Sequence, residues 1–180
     1  MLKKIIKRMA LKREISTSKY HVLDQQELKD VLFHDYLLIK QMKCPLHNKA
    51  KLLSTLFSIN PNSWRVIGIT AAALEVFRQN DFKKVSGMGI NRSHIKQRAS
   101  FYEYLLRTEF RTAETFWQEY YNNDMTILAT STENMSKSED MLKNYFAVPS
   151  DERNLFQTAG YAWKHKEEEI EFLKSITQKK

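Results

Sequence analysis

Gly87-Met-Gly-Ile-Asn-Arg-Ser-His94-Ile-Lys-Gln-Arg98 and Asn123-Asp-Met-Thr-Ile-Leu-Ala-Thr-Ser-Thr-Glu-Asn134-Met-Ser-Lys137 are the two halves of the stretch on which the fold turns. The first half reads as a glycine-loosened turn that leads into a histidine flanked by the cations Arg92, Lys96 and Arg98. The second half reads as a short strand, Met125 to Ala129, followed by a capped helix. A turn or strand, then a strand, then a helix would make a ββα unit. The expected fold class is therefore α+β: a predominantly helical single domain with a small ββα-like element.

Upstream of this stretch the periodicity is helical. Leu28, Val31, Leu32, Leu38, Ile39 and Met42 recur at helical spacing behind the capping box Asp24-Gln-Gln-Glu27, which predicts a helix from Asp24 to about Lys43. A second helix is expected from Asn48 to Ile59, through Leu52, Leu53, Leu56 and Phe57. Cys44-Pro-Leu-His47 between them is read as turn chemistry, because two potential ligands without companions do not make a metal site. Asn60-Pro-Asn-Ser63 is a turn cluster and marks a joint within one domain. Trp64 to Ile69 is then a short strand or the start of a helix, and Thr70 is placed to cap a helix from Ala71 to Gln79.

Between His94 and the second strand, Ile95, Ala99, Tyr102, Leu105 and Leu106 share one helical face. Phe116, Trp117, Tyr120 and Tyr121 make an aromatic stripe on a second helix after Thr112, with the spacing of a packed face rather than of a base-stacking platform. Ser136-Lys-Ser-Glu139 is a capping box for a helix expected to end near Phe146. Tyr161 to Ile176 predicts a closing helix with Ile170, Leu173 and Ile176 inward. The resulting organisation of the 180-residue chain is a basic N-terminal segment over 1–20, a helical part over 24–80, a ββα-like core with a helical insertion over 87–145, and C-terminal helices over 150–178.

The chemistry-bearing residues cluster in the deciding stretch. Hydrolysing a phosphodiester needs a base for water, charge to absorb what develops on the phosphate, and positioning. His94 has a suitable ordinary pKa for the base. Asp124 and Asn134 offer oxygen ligands suited to Mg²⁺ or Mn²⁺, with Asn91 or Ser93 as a weaker third. Arg92, Lys96, Arg98 and Lys137 are the phosphate-binding candidates, the two arginines foremost because their fork is bidentate.

His94-Ile95, Met125-Thr-Ile-Leu-Ala-Thr, and Glu133-Asn134 followed by Lys137 together resemble the HNH, or ββα-metal, nucleases over residues 87–145. That resemblance implies an endonuclease in which His94 activates water beside a divalent ion. Ser93 stands where that family usually has an Asp or His ligand, and the insertion after His94 is long.

A formal charge of +8 and a pI near 9.5 point to a polyanion as partner, with DNA favoured over RNA. The single Cys44 excludes an intramolecular disulfide and fits a reducing, cytoplasmic setting. No apolar run has the roughly 20 residues that span a bilayer, and the first ten residues lack the apolar core of a signal peptide, so no membrane association is expected. Two non-enzymatic alternatives share these features. One is a helical nucleic-acid-binding protein that presents Asn91, Arg92, Ser93, Lys96 and Gln97 from a helix over 91–107. The other is a helical adaptor for an acidic protein.

Overall fold

The computed structural model describes residues 25–58, 63–136, 142–150, 155–156 and 166–178. The basic segment over 1–20, the Asn60 turn cluster and most of 150–165 lie outside them. Among the described residues the order is α1 (Gln25–Gln41), α2 (Leu46–Phe57), β1 (Arg65–Thr70), α3 (Ala71–Gln79), β2 (Ile90–His94), α4 (Arg98–Arg107), α5 (Ala113–Asn123), β3 (Met125–Thr130), α6 (Ser131–Ser136), β4 (Tyr145–Ala147) and α7 (Glu167–Gln178). Seven helices around one small sheet make this the mostly helical α+β domain that the pattern predicts.

The sheet has the order β2-β3-β1-β4. β1 and β3 run parallel, so the chain between them is a crossover, and β2 is laid down within that crossover as an antiparallel partner of β3. With α4 and α5 inserted between the strands, β2, β3 and α6 are two antiparallel strands and a helix in the chain order expected of the ββα-like element. The β component extends beyond the ββα-like element, because the stretch read as a short strand or the start of a helix is β1, Arg65–Thr70, and β4 closes the other edge.

Capping fixes where the helices start. Thr70 Oγ1 accepts from Ala73 N at 3.1 Å at the head of α3, and Thr112 Oγ1 accepts from Thr115 N at 3.2 Å at the head of α5; such caps contribute about 1 kcal/mol each. At α6, Glu133 Oε2 accepts from Thr130 N at 2.8 Å, from Thr130 Oγ1 at 2.9 Å and from Thr70 Oγ1 at 2.9 Å. One carboxylate oxygen therefore ties the ends of both parallel strands.

Two apolar cores result. The first lies among α1, α2, α4 and α5 and is strongly aromatic: Tyr36, Phe57, Tyr102, Phe116 and Tyr120 are fully buried. The stripe of α5 is thus core packing, with Phe116 stacked on Tyr36 at 4.6 Å and Tyr120 edge-on to Phe57 at 4.9 Å. The second core joins Val66, Ile69, Ile90 and Leu128 of the sheet to Leu74 and Phe77 of α3 and Leu173 of α7.

Two expectations are corrected. The helix expected to run to Phe146 gives way to a strand there, since Phe146 and Tyr145 pair with Ile69 and Thr70 and satisfy the backbone of an otherwise open edge. The helix proposed over 91–107 starts only at Arg98, because residues 90–94 are spent on the ladder with β3. Asn91 to Gln97 therefore present no helical face to a groove.

Candidate functional site

The end of β2 and the start of β3 meet beneath Trp64. Trp64 immediately precedes β1 and has a φ of 57°, a left-handed conformation that costs a bulky residue about 1 kcal/mol. The turn aims its backbone N–H at Asp124 Oδ2, 2.8 Å away, and Tyr120 Oη donates to the same oxygen at 3.0 Å. Thr126 Oγ1 donates to Trp64 O at 3.0 Å, and Arg65 N donates to Asp124 O at 3.1 Å. The last residue of the aromatic core, Tyr120, and the first residue after α5, Asp124, are thereby locked to the strand that carries Trp64.

His94 is the final residue of β2 and pairs in register with Thr126. Its Nε2 faces Asp124 Oδ1 at 3.6 Å; the His94 side chain is 14% exposed and that of Asp124 only 2%. Neither of these two facing atoms touches solvent or has a hydrogen-bond partner among the described residues. The imidazole meets the Trp64 ring edge-on at 5.2 Å. Burial lowers the His94 pKa below its ordinary 6.5, Asp124 opposes that shift, and the charges of Arg98 and Arg92 add to it. The ring is neutral at neutral pH.

Cations surround this pair. The Arg92 and Arg98 guanidinium carbons stand 4.7 and 4.6 Å from the centre of the Trp64 ring. Arg98 also donates to the Ser54 carbonyl at 3.2 Å and to its hydroxyl, linking the site to α2. Arg92 is buried, and burial pulls its pKa down to about 10 against the restoring charge of Asp124. Lys84 is also lowered, by burial first and then by the charge of Arg92. Lys96 donates to Asn123 Oδ1, and Arg65 lies over Tyr121 at 4.1 Å.

Of the residues expected to form a site, the structure brings together His94, Asp124, Arg92 and Arg98, with Lys96 beside them. It does not bring in Asn134. The ladder sets His94 opposite Thr126 and Ile90 opposite Thr130, so α6 begins four residue pairs away, about 13 Å along the strands. Asn91 and Ser93 alternate to the face opposite His94; Asn91 donates to Ser131 Oγ at 2.9 Å and Ser93 is buried. Lys137 lies outside the described residues. Trp64, Tyr120, Lys84 and Arg65 were not anticipated, since nothing in their local sequence distinguishes them from core and surface residues.

The donor set does not fit a Mg²⁺ or Mn²⁺ ion. Asp124 Oδ2 is taken by two donors, Oδ1 faces an imidazole, and the surrounding side chains are cationic, whereas such ions take about six oxygen ligands. Among the described residues no three His, Cys, Asp or Glu side chains gather as a metal group, and no helix is long and apolar enough to cross a membrane. No protein-family model, curated protein or solved structure matches the chain.

Proposed function

We propose that the chain binds the phosphate backbone of a nucleic acid at the Trp64 cluster and cleaves a phosphodiester there, with His94 as general base. The observation that carries this reading is that Arg92 and Arg98 face one neutral histidine beside Trp64, with Lys84 close to Arg92 and with Lys96 and Arg65 on the nearby Asn123 and Tyr121. Like charges held this close repel one another, and a polyanion relieves the repulsion. Lys96 is exposed and Arg98 half-buried, so these two make phosphate contacts; Arg92 is 8% exposed and acts through its charge.

The reaction so supported is in-line attack by water. His94 takes the proton, Arg98 and Lys96 absorb charge on the phosphoryl oxygens, and the leaving oxygen is protonated from solvent. Plasmid nicking and RNA cleavage, with Mg²⁺, Mn²⁺ or EDTA, test it. Substrate phosphates are themselves oxygen ligands, so the three conditions separate an ion carried by the substrate from a reaction that needs none. Cleavage abolished in His94→Ala and weakened in Arg98→Ala is the expected result.

A second reading follows from the burial of His94 Nε2 and Arg92 beneath Trp64. In it the cluster is a rigid cationic surface that binds nucleic acid without cutting. Salt-sensitive binding with no cleavage of any substrate would select it.

A further inference from the structure

The two facing atoms at the heart of the site constrain where the histidine's proton sits. His94 Nε2 and Asp124 Oδ1 are each cut off from solvent, each lacks another hydrogen-bond partner among the described residues, and they stand 3.6 Å apart. That distance exceeds a hydrogen bond, and a small ring rotation closes it, as such contacts close when a substrate compacts a site. A neutral imidazole carries one proton. If Nδ1 held it, the Nε2 lone pair would point at a carboxylate oxygen in a buried place, a repulsive contact with both atoms unsatisfied. If Nε2 holds it, both atoms are satisfied at once. The carboxylate cannot turn away, because its other oxygen is held by the Trp64 N–H and the Tyr120 hydroxyl at 2.8 and 3.0 Å.

We infer that Asp124 is a positioning residue for His94, fixing the Nε2–H tautomer so that Nδ1 is the nitrogen that accepts a proton, with Tyr120 and the left-handed turn at Trp64 holding the carboxylate in place. The assignment of Nδ1 as base rests on the proposed function; the tautomer itself does not. The groups facing the ring are Asp124, Arg92 and Arg98, with the edge of Trp64. The two guanidinium groups oppose a second proton on Nδ1, which keeps its lone pair free at neutral pH. This role replaces the expectation that Asp124 holds an ion.

Ring ¹⁵N spectra of the full chain decide the matter, with the His94 signals assigned by their loss in His94→Gln among the chain's five histidines. The expected wild-type pattern above pH 7 is a protonated Nε2 and a bare Nδ1. Asp124→Asn, which keeps the shape and removes the charge, is expected to lower the His94 pKa further. A wild-type Nδ1–H tautomer would overturn the inference, as would an unmoved His94 pKa in a folded Asp124→Asn. Should that variant not fold, the wild-type spectrum alone decides. Where cleavage is observed, Asp124→Asn should reduce kcat by roughly 10²- to 10⁴-fold with KM little changed, the signature of a misoriented base. Absence of cleavage by the wild type would remove the proposed function and leave the tautomer standing on its spectrum.

Discussion

His94 lies at a strand end in a place that disfavours its charged form, and this has a consequence for stability that needs no substrate. Its pKa in the folded chain is below the ordinary 6.5 because burial and the two arginines outweigh Asp124. The unfolded chain therefore binds the proton more tightly than the folded one as pH falls below about 6.5, and stability that is complete above that value is lost on acidification. Glu169 works in the opposite sense, since burial raises its pKa above 4.5 and its contribution is lost as pH rises through the folded value. Comparing wild type with His94→Gln isolates the histidine. Urea midpoints measured at pH 7.5 and 5.5 should fall more for wild type than for His94→Gln. Equal falls would mean that the folded and unfolded pKa values of His94 coincide.

Among the elements, the sheet ends are tied by contacts whose removal has distinguishable costs. Glu133 Oε2 receives three hydrogen bonds, two from Thr130 and one from Thr70. Glu133→Ala should lower stability by roughly 1–3 kcal/mol in urea denaturation, because it strips a charged acceptor from part-buried donors. An effect below a few tenths of a kcal/mol would mean that water replaces the carboxylate freely. At the opposite edge, Gly68 lets the Tyr145 ring lie directly on β1: a Cβ built there would stand 2.1 Å from Tyr145 Cδ2. Gly68→Ala should therefore cost about 1–3 kcal/mol, and much of that loss should return when Tyr145→Ala is added. Strict additivity of the two changes would exclude the clash as the cause. Neither contact was legible in the sequence. Thr70 was readable as a cap and Met125 to Ala129 as a strand, because both signals are local. Glu133 joins Thr70 across 63 positions, and the Tyr145 strand is decided by the open edge of β1, which no window around Phe146 reveals.

Across the whole molecule, the site lies where the aromatic helical core meets the sheet. Tyr120 belongs to the first core and bonds Asp124, and Arg98 reaches from the head of α4 to both Ser54 of α2 and the Trp64 ring. Sequence order concealed this convergence, since Ser54, Trp64, Arg92 and Tyr120 sit in four different elements or joints; His94, Arg98 and Asp124 were visible because a histidine among cations and a strand preceded by a carboxylate are short-range patterns. The convergence also makes the charge distribution testable. If nucleic acid binds at this junction, cations there release counterions and those elsewhere do not. The slope of log K against log salt should shrink by about 0.9 for each lost contact on duplex DNA, or about 0.7 on a single strand. Lys96→Ala and Arg98→Ala should each show such a loss. Lys29 pairs with Glu114 at the head of α5, a helix length of roughly 16 Å from Asp124 at its other end, and Lys29→Ala should leave the slope unchanged. An equal decrement in all three variants would mean that net charge, rather than the Trp64 junction, holds the polyanion.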